Sequence, residues 1–431
     1  MLLVVLAGHP PAAAGQEPGG GPRLLGAQFT AIGQSVAPFH SPYQGPNSLT
    51  PNGGEGLTHT YGAYFGWRIA GELESYLDVE MARGSGIGRA VGLAGVTNGD
   101  VIRQGTADLS QGPFVARLFL RYSVALGAES VSVDRAQDQL PEWVRTNRFE
   151  ITAGKVAASD FFDLSRYANS TRLQFLNWGL FQNTAWDFAA DTRGFTYGVV
   201  AAWIRPRWAL RLGTFLMPTR ANGNVFDTDW PRARGDNLEL TLTPPSGTIV
   251  RLLGYENHAR MGNYREAIAA AAGGTPDIVA DDRPGRTKSG LGLNLEQPLA
   301  DGGETGLFGR AGWNDGRNES FAFTEVETHL SVGAQIAGTR WSRPRDRFSA
   351  ALLVHGLLAP HRDYLAAGGN GFLLGDGKLN YGSERIFEAF YRAQFGAFVE
   401  VSPDVQLIWN PGYNMDRGPA TVVSLRFNAR H

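Results

Sequence analysis

Residues 405–409 read Val-Gln-Leu-Ile-Trp and residues 422–427 read Val-Val-Ser-Leu-Arg-Phe, with a stretch rich in Gly, Pro and Asn between them. Val405, Leu407 and Trp409 are separated by Gln406 and Ile408; Val423, Leu425 and Phe427 alternate with Ser424 and Arg426. Side chains of a strand point alternately to opposite faces. The beat therefore describes two strands with one face on an apolar medium and the other on a polar one. Gln406, Asn410, Ser424, Arg426 and Asn428 are expected on the wet side. When a long chain repeats this pattern many times, the wet side can be the inside of a barrel.

The beat does repeat. It predicts strands over 28–34, 59–70, 72–81, 113–125, 148–156, 194–204, 209–216, 237–243, 248–256, 289–297, 306–313, 325–336, 347–357, 384–401, 404–410 and 419–430. About 16 strands is an even number in the range of bacterial porins. The connectors alternate in length. Those near 35–58, 82–113, 157–193, 217–236, 257–286 and 358–383 are long. Those near 71, 205–208, 244–247, 299–303 and 402–404 are short and rich in the turn residues Pro, Gly, Asp and Ser. An outer-membrane barrel has this rhythm, with short periplasmic turns and long external loops. Two connectors, 126–147 and 337–346, exceed a tight turn; the first is expected to extend strands beyond the membrane at Val131 and Val133.

Charge follows the beat. A Lys or Arg facing lipid at mid-membrane costs about 2–4 kcal/mol. Glu74, Asp78, Arg117, Arg121, Glu239, Arg251, Glu325, Glu327, Glu388, Arg392 and Arg426 all fall on the polar side of their segments. Trp67, Trp203, Trp208, Trp313 and Trp409 lie near predicted strand ends, where an interfacial aromatic girdle belongs. The competing description, a large soluble β-protein with a solvated face, gives no reason for the loop rhythm.

Composition narrows the function. The chain of 431 residues is 43% hydrophobic and has no apolar run long enough for a membrane-spanning helix. It has no Cys, which excludes disulfides and thiolate chemistry. Lys and Arg (39) nearly balance Asp and Glu (41), so a nucleic-acid partner is not expected. The His residues contain no His-x-x-x-His pair, and no spacing selects a catalytic dyad; no metal, cofactor or catalytic residue is predicted. At the N-terminus, the apolar run Leu2–Leu6 and Ala12-Ala13-Ala14 read as the end of a secretory signal, followed by a Gly/Pro-rich segment. Residues 1–24 are expected to be signal remnant and disordered, and 25–431 a single barrel domain.

Several long strings carry more than a beat. They include Asn177-Trp178-Gly179, Ala185-Trp186-Asp187-Phe188-Ala189-Ala190-Asp191-Thr192-Arg193-Gly194-Phe195, Trp313-Asn314-Asp315-Gly316-Arg317, His361-Arg362-Asp363-Tyr364-Leu365, Gly375-Asp376-Gly377-Lys378-Leu379-Asn380-Tyr381-Gly382 and Asp416-Arg417-Gly418-Pro419. Together with Phe39-His40-Ser41-Pro42-Tyr43-Gln44-Gly45-Pro46-Asn47, they resemble the carbohydrate-selective porin family of OprB type, from about residue 27 to the C-terminus. The resemblance implies an all-β, 16-stranded antiparallel transmembrane barrel in the bacterial outer membrane, with inward-folded loops constricting a sugar-selective diffusion pore. It departs from outer-membrane barrels in one respect: the last aromatic is Phe427, and Asn428-Ala429-Arg430-His431 follows.

A barrel of this width is an open channel unless loops enter it. Residues 157–193 hold Phe161, Phe162, Tyr167, Phe175, Trp178, Phe181, Trp186 and Phe188, too apolar a set for a loop in water, and are the expected plug. The Gly-rich 82–113 is the second candidate. Sugar recognition needs flat rings for C–H faces and charged groups for hydroxyls. Trp178, Trp186, Asp187, Asp191 and Arg193 supply both within the plug; Arg68, Glu80, Arg83, Arg103, Arg117 and Arg121 are further pore candidates. For Asp191 and Arg193 a purely architectural ion pair is an equal alternative. The mixed charge suits neutral solutes such as sugars, and the resemblance implies mono- and small oligosaccharides of glucose type. The alternatives are a general or organic-acid- or amino-acid-selective porin, and an outer-membrane barrel enzyme. Expected partners are carbohydrate solutes, outer-membrane lipid and lipopolysaccharide, with the barrel a monomer or homotrimer.

Overall fold

The computed structural model describes residues 23–101, 109–322 and 324–431. Its strands are β1 (Arg23–Val36), β2 (Gly54–Ala70), β3 (Leu73–Ser85), β4 (Phe114–Ala125), β5 (Ser130–Val133), β6 (Glu142–Arg145), β7 (Arg148–Val156), β8 (Thr196–Arg205), β9 (Trp208–Leu216), β10 (Arg234–Leu242), β11 (Ile249–Met261), β12 (Arg283–Ala300), β13 (Thr305–Asn314), β14 (Thr328–Ala337), β15 (Arg347–Gly356), β16 (Glu384–Phe395), β17 (Val399–Trp409) and β18 (Ala420–Arg430). All but β5 and β6 join one closed antiparallel barrel of 16 strands, in which β1 closes against β18 from Gln28↔Arg430 to Val36↔Val422. Closure leaves no edge strand to satisfy, which is what allows a sheet to cross a membrane.

The two faces separate as the alternation requires. Leu212, Leu238, Leu252, Leu295, Leu307, Leu330, Leu352, Val423 and Leu425 point outward and are exposed, forming the lipid-facing band. Trp67, Trp203 and Trp208 lie at the periplasmic ends of their strands, with the last two rings in T-shaped contact at 5.0 Å; Trp313 and Trp409 lie at the external ends. Gln406, Ser424, Arg426 and Asn428 point inward and are buried. Buried charge on an inner wall means that something fills the lumen.

Four boundaries differ from the sequence reading. Arg23 and Leu24, assigned to the disordered N-terminal segment, already belong to β1. Ser402-Pro403-Asp404 is not a turn. Pro403 lies in β17, opposite Leu425 on the outward face, and the ladder to β16 passes from Phe390↔Asp404 directly to Ala393↔Val401 because proline has no N–H to give. The turn is at 396–398, where Gly396 takes φ +62°. Glu325 and Glu327 precede β14 and belong to an inward-folded external loop, 315–327. Finally, 126–147 does not simply lengthen β4 and β7. Val131 and Val133 form the separate hairpin β5–β6, and the tip beyond them turns into the barrel. The Ala-rich stretch near 268–272 does form a short helix, Tyr264–Ala270, with Asn263 capping the N–H groups of Arg265 and Glu266.

Two external loops meet at Glu319. Its carboxylate accepts from the Gly262 N–H at 2.8 Å, and its own N–H donates to Gly262 O at 3.0 Å. Burial pushes this carboxyl up to about 8 from an ordinary 4.5. A raised carboxyl favours the neutral form in the fold, so the associated stability is complete below the unfolded value and is lost as pH rises through about 8. Amide hydrogen exchange around Gly262 and Glu319 should accelerate between pH 6 and pH 9 beyond its intrinsic base dependence. Glu319→Gln should abolish the excess; an equal excess in that variant would remove Glu319 as its source.

Candidate pore and its plug

Residues 157–195 fold into the lumen and pack Phe162, Tyr167, Phe175, Leu180, Trp186 and Phe188 out of solvent. An irregular segment inside a barrel brings backbone N–H and C=O groups that no ladder satisfies. The inward charges of the far wall supply the partners. Carboxylates take the N–H groups: Glu239 from Asp163 at 2.7 Å, Glu296 from Arg166 at 3.1 Å, and Glu388 from Leu176 and Asn177 at 2.5 and 3.0 Å. Guanidinium groups take the carbonyls: Arg426 donates to Thr171 and Gln174 at 2.5 and 2.6 Å, and Arg392 to Leu173 at 3.3 Å. Arg310 is the densest anchor. Its Nε lies 3.0 Å from Asp163 Oδ2, and its Nη atoms donate to the carbonyls of Leu180, Ala168 and Asp163 at 3.0, 2.7 and 3.1 Å.

The near wall, β2 to β4, is different. Arg121 bridges Glu74 at 2.9 Å and the Tyr76 hydroxyl at 2.6 Å, with its guanidinium 4.7 Å over the Tyr76 ring. Tyr76 stacks on Phe119 at 5.1 Å. Arg117 grips Asp160 of the plug with two bonds of 2.7 Å and reaches Asp78 at 3.3 Å. Arg172, also from the plug, takes Glu80 with two bonds of 3.1 and 2.9 Å and Asp100 at 3.0 Å. Arg68 pairs with Glu74 at 2.9 Å and with Glu142. Arg68, Asp160 and Arg172 keep an open edge of 31%, 28% and 22%, while Glu74, Asp78 and Glu80 behind them keep 6%, 1% and 9%; under the plug Arg310 and Glu239 keep 1% and 0%. The strip between plug and near wall is thus lined by guanidinium groups alternating with carboxylates, beside buried tyrosine and phenylalanine rings.

The structure brings Arg68, Glu80, Arg117 and Arg121 together on this strip. It places the other sequence-derived candidates elsewhere. Trp186 is buried in the plug, its Nε1 donating to Asn237 at 2.8 Å, and Trp178 stacks on Phe188 at 6.5 Å. Asp187 accepts from the N–H groups of Phe321 and Ala322 at 2.8 Å each and lies 3.2 Å from Lys288. Asp191 accepts from the N–H groups of Arg193 and Phe195 at 2.9 and 3.0 Å, closing its own loop. The Arg193 guanidinium lies 4.0 Å over Phe114 and donates to Ser110 O at 3.0 Å. Arg83 pairs with His59 on the outward parity of β3, so it leaves the lumen altogether. Arg103 lies outside the described residues. The strip also contains residues that the sequence reading did not single out as pore residues: Glu74, Tyr76, Asp78, Asp160, Arg172 and Glu142. Glu74 and Asp78 were visible on the polar beat; Asp160, Arg172 and Glu142 carry no local signal, since only folding brings their loops to the wall. A cavity of about 970 Å³ near Ser35, Glu55, Leu57 and Val423 is lined largely by outward-parity residues of the wall and is separate from this strip.

The family model of the carbohydrate-selective porins, OprB family, matches residues 17–430. The chain belongs to this family. The porin is accordingly a sugar-selective channel of the bacterial outer membrane, and its barrel is closed as a membrane-spanning sheet must be. In fold it is similar to OprB of Pseudomonas putida in its high-pH structure, with a TM-score of 0.71 at 12% identity over 95% of this chain and 94% of that one. It is also similar to the outer membrane channel DcaP of Acinetobacter baumannii, with a TM-score of 0.51 at 10% identity over 95% and 97% of the two chains. No curated protein matches the porin in sequence.

Proposed function

We propose that mono- and small oligosaccharides of glucose type diffuse through the porin along the strip between plug and near wall. The observation that carries this reading is the alternation of Arg68, Arg121, Arg117 and Arg172 with Glu74, Asp78, Glu80 and Asp160, in two chains of ion pairs, one through Glu74 and the other through Arg117 and Glu80. A sugar hydroxyl is donor and acceptor at once, and such a wall offers both at each step. A ring of one sign would instead select an ion. Arginine forks also suit vicinal hydroxyls better than a point charge.

The apolar outer band fits outer-membrane lipid. At its external rim, Arg234 pairs with Asp236 at 2.9 Å and His258 with Glu256 at 2.9 Å on the outward face, a charged collar suited to lipopolysaccharide head groups. Each barrel encloses its own strip, so the reading is the same for a monomer and a homotrimer. Purified porin in a planar bilayer should give stepwise conductance that glucose lowers in a saturable way. Absence of any conductance would sink the channel reading. Equal permeation of charged and neutral solutes of one size would favour a general porin.

A further inference from the structure

The connector between β4 and β7 touches the pore described so far only through Glu142. A tight turn would join two neighbouring strands with two to five residues. Instead, residues 126–147 build the hairpin β5–β6, and its tip turns back into the barrel. Gln137 donates to Asp78 at 2.5 Å, Asp138 lies 3.5 Å from Arg117, and Leu140 is buried with its N–H 3.3 Å from the Tyr76 hydroxyl. Glu142 pairs with Arg68. On the other side, Arg135 reaches the carbonyls of Leu25 and His431. The tip therefore spans from β1 and the C-terminus to β4. Tyr76 and Asp78 are a few residues into β3 from the turn at Gly71, roughly 17–23 Å along the tilted strand at about 3.3 Å per residue.

Arg117 is thus held from two directions. Asp160 of the external plug meets it at 2.7 Å, and Asp138 of the periplasmic tip at 3.5 Å. Asp138 takes a φ of 57° in the two-residue turn closed by the Ala136–Gln139 bridge, a conformation that Asp tolerates and that sets the tip of the connector. Burial, with Asp78 beside it, keeps the Asp138 carboxyl well above the usual carboxylate range. Burial and then Glu74 push Glu142 up to about 7.

We propose that residues 134–142 form a second constriction of the sugar path, entering from the periplasmic side and meeting the plug at Arg117. The inference rests on the porin reading. A solute passes the plug edge at Asp160 and Arg172, and then the tip. The two constrictions act in series, so each limits flow and the external one still recognises sugar when the inner one is removed. The test replaces residues 134–141 with Asn-Gly, a pair that closes a two-residue hairpin. Single-channel conductance should rise roughly twofold, with glucose block retained. Wild-type conductance in this folded variant would overturn the proposal. Should the shortened chain not fold, the absence of cysteine in the porin allows a second arm. Asp138→Cys, treated with a bulky methanethiosulfonate reagent from the periplasmic side, should lose conductance relative to the same channel before treatment. Mass-verified modification without loss would overturn the proposal equally. Failure of the wild-type porin to conduct would count against the porin reading instead.

Discussion

Arg310→Ala should unseat the plug and open the porin. The guanidinium is buried and holds Asp163 and the carbonyls of Leu180, Ala168 and Asp163 at once. Its removal leaves the Asp163 carboxylate buried without its cation, and breaking a buried pair in this way costs about 3–5 kcal/mol. The cost falls on the plug rather than on the barrel, because the β12–β13 and β13–β14 ladders use only the backbone of Arg310. Conductance should rise several-fold, toward that of an unplugged barrel of this size, and oligosaccharides too large for the wild type should enter proteoliposomes in swelling assays. Glucose block should weaken together with it, since Asp160 and Arg172 of the strip ride on the plug. Arg310→Lys should fall between, keeping the charge and losing the fork. A folded Arg310→Ala porin with wild-type conductance and size limit would show that the plug is held without this anchor.

Arg117→Ala should change which ions accompany the sugar. Asp78, Glu80, Asp138 and Asp160 lie 3.3, 3.9, 3.5 and 2.7 Å from its guanidinium. Without it, four carboxylates face one another across the path with Arg172 and Arg121 as the nearest compensation. A ring of one sign selects the opposite ion, so the reversal potential in a KCl gradient should move strongly toward the potassium potential. Sugar block should weaken as well. Arg117→Lys should retain most of the wild-type reversal potential but not the bidentate grip on Asp160. An unchanged reversal potential in the Ala variant would mean that Arg117 lies off the conducting route.

The barrel was legible because its signal is local. Side-chain direction along a strand has a period of two, and lipid enforces it at a few kcal/mol per misplaced charge. Leu425 and Arg426 show the rule in one dipeptide, the first exposed to lipid and the second buried in the lumen. Pro403 shows its limit. Turn chemistry pointed to 402–404, yet the alternation of Ser402 and Asp404 inward with Pro403 outward was the stronger term, and the turn formed at Gly396. Arg83 failed by parity: one residue decides between wall and lumen, and a charge at a strand's external end can face outward without entering the hydrocarbon.

The pore strip was legible only in part. Arg117, Arg121 and Arg310 look alike in sequence, each a charged residue on the inward face of a strand. Arg117 and Arg121 pair with wall carboxylates on the strip proposed as the path, while Arg310 disappears under the plug. Trp186, Asp187 and Asp191 read as a sugar site because aromatic and acid stood together. In the fold they satisfy a loop that has no ladder of its own, through Asn237, the Phe321 and Ala322 N–H groups and the Phe195 N–H.

By itself, the sequence determined most of the strand pattern, the orientation of the barrel and which segment plugs the lumen, and its long strings carried the resemblance to the family. The first three follow from period-two alternation, turn chemistry and the length and apolarity of loops, all of which act between neighbours in the chain. Only the tertiary structure decided which inward charges hold the plug and which stand on the strip beside the near wall. That choice depends on whether an unpaired backbone N–H or C=O from a distant loop arrives in front of the side chain. Residues 163 and 310, or 138 and 117, are brought together by the closure of the barrel and by nothing written near them.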